Sequence, residues 1–414
     1  MSTVASGELA ALPDGVGGSA TAEFASLARV FARTFGHRGT GGAGLTIHRH
    51  GMPLVDIWTG STGTEVWRRD TGSIVFSATK GITATVIHRL ADRGLLDYSA
   101  PVAEYWPEFA AAGKGSITVR QLMTHRAGLS ALGPLVRAPE ELLDARLMQE
   151  RLAAAKPDRL LGHPAYHALT FGWLMAGLAR AVTGRDLPEL FRTEVAEPLG
   201  IDGLHLGAPP PESSTVFAPL VGSALRQLGN PISAQLFGRG HAVPGALGAA
   251  VRCLFVPGVE TILAGDHPPI LAAQMGAASG VCTAPALATL YSALAGDGKV
   301  DGREYLRPRT LAALRKVETY RLDHALFYLP MLWHLGYHSL PVPGGRAGFG
   351  HIGLGGSFGW AEPRLGLSVG FVHNRLSAGQ LGFDQTLAFW LLPMIMNCLR
   401  GARATDVARP AEAA

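Results

Sequence analysis

Strand patterns lie near both ends of this chain, and helical patterns fill its middle. Near the start, Leu45 to Gly51 and Leu54 to Trp58 alternate around Gly51-Met52-Pro53, which predicts a hairpin and hence an antiparallel sheet. Near the end, Gly348 to His351, Ser357 to Ala361 and Leu367 to His373 read as successive strands, and Leu332 to Leu340 also alternates. Thr21 to Phe35 carries Phe24, Leu27, Val30, Phe31 and Phe35 on one helical face, and Thr386 to Leu399 reads as a closing helix. One sheet assembled from both ends, with an all-helical insert, follows from this order. The expected fold class is α/β (α+β): residues 20–76 and 288–400 form the antiparallel sheet and its flanking terminal helices. Residues 77–287 form a helical subdomain with a Gly- and Pro-rich loop region at 207–268, and 1–19 and 401–414 are expected to be flexible tails.

Composition removes several function classes. The chain has 414 residues, 47% of them hydrophobic and only 16% charged, with a net charge of +4 and no basic stripe, so no nucleic-acid partner is expected. Cys253, Cys282 and Cys398 are scattered without metal spacing and read as buried thiols in a reducing compartment. Met1 to Gly18 has no basic region followed by an apolar core, and the apolar run near Leu387 to Met396 contains Pro393 and is short for a span. A cytoplasmic protein with no membrane span, no metal and no cofactor is therefore expected.

The chemistry centres on Ser77-Ala78-Thr79-Lys80. A short apolar run, Ile74 to Phe76, ends there, and Ile82, Val86, Ile87 and Leu90 continue at helical spacing. A serine at a helix start and a lysine three residues on share one face of the first turn. The residues alone leave two readings open: Ser77 as a helix cap with Lys80 solvated, or Ser77 as a nucleophile with Lys80 as its base. A first-turn lysine opposes the helix dipole, which favours the second. Gly39 to Gly44 matches a dinucleotide-binding glycine pattern, but a helix precedes it and a strand follows, the reverse of what that site needs. Gly355-Gly356-Ser357-Phe358-Gly359 matches a nucleophile elbow, but strand follows strand there and His373 precedes Asp384, so Ser357 is expected to be inert. His334 and His338 lack a third ligand, so no metal is expected at them.

Ser77-Ala78-Thr79-Lys80, Tyr166-His167-Ala168 and His351-Ile352-Gly353, in this order, resemble the Ser-x-x-Lys, Tyr-x-Asn/Ser and Lys/His-x-Gly motifs of the serine β-lactamase and penicillin-binding-protein superfamily. The likeness is strongest to class C β-lactamases and the esterases that share their fold, of the family VIII carboxylesterase type. It covers roughly residues 20–400 and extends to Ile117 to Leu129, Glu197-Pro198-Leu199-Gly200 and Ser279 to Ala284. The resemblance implies a β-lactamase/DD-peptidase-like fold and an acyl-enzyme on Ser77, with Lys80 and Tyr166 sharing base duty. Burial is expected to lower the lysine, and a neighbouring cation to lower the tyrosine. The resemblance also implies an oxyanion hole from the backbone N–H groups of Ser77 and Leu354, with His351, Gly353 and His167 near substrate.

Two departures bear on substrate. Ala168 stands where the family's β-lactamases carry an Asn amide, and His351 stands where many carry a lysine for a carboxylate. Both argue for a neutral, apolar ester as the small-molecule substrate. The expected activity is a carboxylesterase. Acyl transfer through the same acyl-enzyme, weak β-lactamase or D-amino-peptidase activity, and a scaffold that kept only the fold are the competing readings. His125 is expected to be structural. Trp58, Trp173, Trp333 and Trp360 are core candidates, and Phe237, Trp333 and Phe358 are candidates to line an acyl pocket.

Overall fold

The computed structural model describes residues 8–36, 41–224, 227, 243, 245–342 and 348–407. In chain order its strands are β1 (Val16–Ala20), β2 (Gly42–Arg49), β3 (Met52–Gly60), β4 (Thr71–Ile74), β5 (Leu204–Leu206), β6 (Val216–Phe217), β7 (Gly280–Cys282), β8 (Lys299–Val300), β9 (Arg303–Glu304), β10 (Phe349–Ile352), β11 (Phe358–Glu362) and β12 (Leu367–His373). The two chain ends join as expected. The main sheet runs β1-β3-β2-β12-β11-β10, with every neighbouring pair antiparallel. The ends meet where β12 pairs β2, from Leu367 opposite Arg49 to His373 opposite Ala43.

Four details differ from the sequence reading. Val16–Ala20 is an edge strand rather than part of a loose arm; Val-Gly-Gly-Ser-Ala lacks strand propensity and is held by pairing with β3. The hairpin turns at His50 and Gly51, both at positive φ, one residue earlier than expected. Pro53 then falls inside β3, where the pairing register shifts between Ile47 and His48, because proline has no N–H for the ladder. The helical middle also holds a small sheet, β5-β7-β4-β6, whose strands are too short to show a period. Leu332 to Leu340 is no regular strand: Leu332 and Gly336 adopt positive φ, and only isolated bridges at Trp333 and His338 remain.

The sheet is buried on both faces. On one, Phe24, Leu27, Phe31 and Phe35 of the N-terminal helical segment pack with Leu387, Leu391 and Ile395 of the closing helix over Leu45, Ile57, Val369 and Phe371. On the other face, the Ala284–Ala295 helix packs on β2, β11 and β12, and its core continues into the helices of the middle segment. Those helices include Thr79–Asp92 and Thr170–Thr183. Gly184 stops the second in the left-handed conformation, as the sequence predicts. The Val119–Met123 helix carries the expected Thr118 cap, closed by Gln121 into a capping box. Among the described residues no helix is long and apolar enough to cross a membrane.

One buried ion pair ties the closing segment to the sheet. Asp384 accepts from both ends of the Arg375 guanidinium, with Nε to Oδ2 at 2.9 Å, while Nη1 donates to the Thr34 carbonyl and the guanidinium lies over the Phe35 ring. Removing one partner of a buried pair strands the other charge. Asp384→Ala is expected to destabilise the protein by about 3–5 kcal/mol, read as a lower midpoint in chemical denaturation. A change within experimental scatter would mean that the guanidinium finds water instead.

Candidate active site

The approach to Ser77 is built by backbone strain and backbone pairing. After β4, Val75 donates its N–H to the Gly280 carbonyl at 2.9 Å, and Phe76 turns at φ +44°, a conformation costly for a bulky side chain. Phe76–Ala78 then forms a 3₁₀ turn that runs into the Thr79–Asp92 helix. Gly280 of β7 donates its N–H to the Thr79 hydroxyl at 3.0 Å, fixing the turn from the other side. Neither helical segment shows a side-chain cap, so the cap reading of Ser77 is not what the fold uses. From Thr71 to His88 every residue is buried except Ser77, which is partly exposed.

Lys80 is fully buried. Its Nζ lies 3.0 Å from Ser77 Oγ and 3.0 Å from the Ala277 carbonyl oxygen, and 4.9 Å from the centre of the Tyr166 ring. Burial holds the amine well below its ordinary pKa of 10.5, with only a weak opposing influence from Cys253. A neutral amine fits these two neighbours: one N–H donates to the carbonyl, and the lone pair faces a hydroxyl that can itself donate. The Ala277 carbonyl reaches Lys80 because a glycine stands across from it. A Cβ on Gly172 would sit 2.4 Å from the Ala277 nitrogen.

Tyr166 lies beside the pair, its ring centre 4.9 Å from Lys80 Nζ and its phenol near enough to feel the Ser77 hydroxyl. The ring is buried and stacks on Trp333 at 5.6 Å between centroids and 9° between planes. Here the expected direction of the tyrosine shift is corrected. Burial pushes the phenol well above its ordinary range, and the nearby Ser77 hydroxyl opposes this only in part. Burial disfavours the Lys80 ammonium as well, which weakens the cation that could hold a phenolate. Burial thus shifts the two groups in opposite directions, the amine down and the phenol up.

The third motif closes the site along β10. A Cβ on Gly353 would lie 2.1 Å from the Val75 carbonyl oxygen, so only glycine lets this strand end abut the Ser77 turn. His351 is buried, 6.2 Å from Tyr166 and 5.0 Å from His338 between ring centres. Its Nδ1 lies 3.1 Å from the Ile352 carbonyl, which can only accept, so Nδ1 carries the proton and Nε2 is a bare acceptor without a protein partner. Burial first, then His338 and Lys80, lower its pKa well below 6.5. Around Leu354, Gly353, Gly355 and Gly356 donate their N–H groups to Ser357 O, Gln385 Oε1 and Gly353 O. The Leu354 N–H has no protein acceptor among the described residues.

Other sequence candidates are structural. His167 is fully buried: Nδ1 donates to the Ala165 carbonyl at 2.7 Å and Nε2 accepts from the Leu129 N–H at 3.2 Å, so neither nitrogen is left for a substrate. His125 accepts the His167 N–H on Nδ1 and packs against Tyr166 and Trp333. Ser357 is buried, and its hydroxyl bonds the main chain of His373 at 3.1 and 3.4 Å. His373 holds Gly355 O and Arg375 N on its two ring nitrogens. His334 and His338 each bond protein on both ring nitrogens. Phe358 lies in the core beneath the terminal helices rather than at the site, and Phe237 lies outside the described residues. Trp173, Trp333 and Trp360 are buried, Trp58 partly so. The three cysteines are free and buried.

Sequence reasoning missed Ala277, which acts through its backbone alone, and Asp323. The Asp323 carboxylate accepts the Tyr166 N–H at 3.1 Å and the Trp333 indole N–H at 3.0 Å. Its one sequence signal is a lone carboxylate heading the apolar run Ala325 to Leu332.

Comparison with known proteins agrees with this geometry. A family profile described as beta-lactamase matches residues 27–388. A protein of Mycobacterium tuberculosis named esterase/beta-lactamase LipL is 47% identical over 362 residues, which is 87% of this chain and 83% of that protein. A penicillin-binding protein homolog from Caulobacter crescentus superposes with TM-score 0.75 at 29% identity, covering 90% of this chain and 97% of its own. A solved family VIII carboxylesterase superposes with TM-score 0.71 at 29% identity, over 91% of this chain and 99% of its own.

Proposed function

The chain belongs to the beta-lactamase family, and on that premise we propose that it hydrolyses carboxylic esters through an acyl-enzyme on Ser77. The observation that carries this reading is a buried lysine with no carboxylate partner among the described residues, its Nζ 3.0 Å from the one partly exposed side chain of its turn. Lys80 takes the Ser77 proton as Oγ attacks the ester carbonyl. The oxyanion forms between the N–H groups of Ser77 and Leu354, each such donor being worth about 3 kcal/mol in the transition state. Tyr166, held protonated, gives its proton to the departing alkoxide and recovers one from the Lys80 ammonium. Water then attacks the acyl-enzyme with the same groups in reverse.

The substrate reading rests on His351 and Ala168. A lysine or imidazolium would attract a carboxylate, whereas the His351 imidazole is buried and its pKa is held well below 6.5. Ala168 packs in a small apolar cluster with Tyr166, Cys253 and Trp333 and presents no amide. Both fit a neutral ester better than an anionic β-lactam. Side-by-side turnover of a p-nitrophenyl ester and a chromogenic cephalosporin tests this. The expected kcat/KM ratio favours the ester by roughly 10³-fold or more, because the anion's carboxylate is left without a donor. Comparable turnover of both substrates would sink the substrate assignment but leave the nucleophile in place.

A further inference from the structure

Asp323 is a fully buried carboxylate with four donors on it. Oδ1 accepts the main-chain N–H groups of Tyr166 at 3.1 Å, Ala325 at 2.9 Å and Leu326 at 2.9 Å. Oδ2 accepts the Trp333 indole N–H at 3.0 Å. Every partner is a donor, the arrangement that suits the ionised carboxylate, and these bonds oppose the burial that pushes its pKa up. The segment that carries it closes on itself: Tyr328 donates its N–H to Asp323 O at 2.9 Å, and Asp323 donates to Leu329 O at 3.1 Å. Phe327 and Tyr328 both take positive φ to make that closure, an unusual pair of outliers beside a reactive centre. His324 docks the loop on the Tyr166 segment by donating its N–H to the Pro164 carbonyl at 2.9 Å.

We propose that Asp323 is the positioning residue for Tyr166, holding the tyrosine main chain on one carboxylate oxygen and the indole stacked against its ring on the other. The inference rests on the acyl-enzyme reading above, because it gives Tyr166 a geometric task to perform at Ser77. Main chain and ring are the two handles by which a phenol can be aimed, and one carboxylate grips both. The negative charge has a second consequence. It adds to the burial that raises the Tyr166 phenol, so the tyrosine keeps its proton while Lys80 accepts. The other titratable groups facing this pair are Lys80, Cys253, His125 and His351. Burial keeps the Cys253 thiol protonated, at about 12, and holds His125 and His351 neutral.

A mutant cycle with the full-length protein tests this. Asp323→Asn keeps one oxygen for the main-chain donors but sets an amide N–H against the indole N–H. It is expected to lower kcat for a p-nitrophenyl ester by roughly 10- to 10²-fold, as small misplacements of a reacting group do, with KM changed much less. In a Tyr166→Phe background the same substitution is expected to cost nothing further, since the hydroxyl it aims is gone. Trp333→Phe, which removes the indole N–H and trims the ring stacked on Tyr166, should show a loss that disappears in the same background. It carries the cycle alone if Asp323→Asn does not fold. Unchanged kcat in both Asp323→Asn and Trp333→Phe overturns the proposal. So does an equal fold-loss with and without the Tyr166 hydroxyl, which is what a purely structural residue gives. Fluorophosphonate labelling of the parent enzyme separates the two levels: if the label is not on Ser77, the acyl-enzyme reading fails, whatever Asp323 does.

Discussion

Ser77→Ala is expected to lower ester turnover by about 10⁴- to 10⁶-fold, the range seen when a hydrolase loses the nucleophile around which its other groups act. The geometry explains why the loss should be so large. Lys80 Nζ lies 3.0 Å from the Ser77 hydroxyl with the Tyr166 ring beside it, and the fold bends Phe76 to φ +44° to present the serine. Without Oγ the lysine has no proton to take. What remains is the polarising effect of the oxyanion donors on direct attack by water. Ser357→Ala is the control. Its hydroxyl bonds only the main chain of His373, so its loss is expected to reduce stability by about 1 kcal/mol and to leave kcat/KM within about threefold of the parent. Ester kinetics of the two purified variants, at matched folded fractions, decide between the two serines. A dead Ser357→Ala beside an active Ser77→Ala would reverse the assignment.

Lys80→Met is expected to remove activity and to stabilise the fold at the same time. As the base, Lys80 should contribute about 10²- to 10⁴-fold to turnover. In the parent, activity should rise with pH as the buried amine loses its proton, and this limb should lie well below the ordinary lysine value of 10.5. The sign for stability follows from the same shift. Between the lowered folded pKa and 10.5, the unfolded chain holds a proton on Lys80 that the folded chain does not. The unfolded state binds more protons, so stability rises with pH across that window, and the burial penalty is greatest below the folded pKa. Methionine fills similar space without a charge to desolvate, so Lys80→Met should raise Tm at neutral pH and flatten this pH dependence. A lower Tm at neutral pH would mean that the hydrogen bonds to Ser77 and Ala277 outweigh the desolvation. Retained activity would move the base to another group.

The sheet and the Ser77–Lys80 pair were legible in the sequence because their signals are local. Leu45 to Trp58 alternates around a turn, and Leu367 to His373 is a continuous strand run, so joining the ends required only their order along the chain. The spacing of Ser77 and Lys80 put hydroxyl and amine on one turn, and the turn is there, although 3₁₀ rather than helical at Ser77 itself. The missed elements are those stabilised by distant main chain. Val16–Ala20 is a strand only because β3 lies beside it. Trp333 to His338 alternates like a strand, yet Gly336 turns back there to donate its N–H to the Met123 carbonyl. His167, next to the site's apolar Ala168, looked available for substrate, but the carbonyl of Ala165 and the N–H of Leu129 occupy its ring. Asp323 could not be assigned because its partner is a backbone N–H 157 residues away, a contact that leaves no residue-type signature on either side. The direction of the Tyr166 shift was misjudged for a related reason. Burial of a ring stacked on Trp333 is a tertiary fact, and it outweighs a neighbour whose charge burial itself disfavours.

The central claim is that an ester's acyl group resides on Ser77 during turnover. Rapid acid quench of the enzyme with a slowly deacylating p-nitrophenyl ester, followed by intact-protein mass measurement and peptide mapping, tests it most directly. The expected result is a mass gain equal to one acyl group, confined to the peptide that contains Ser77 and absent from Ser77→Ala. An adduct on the Ser357 peptide, or full turnover with no adduct at any quench time, would contradict it.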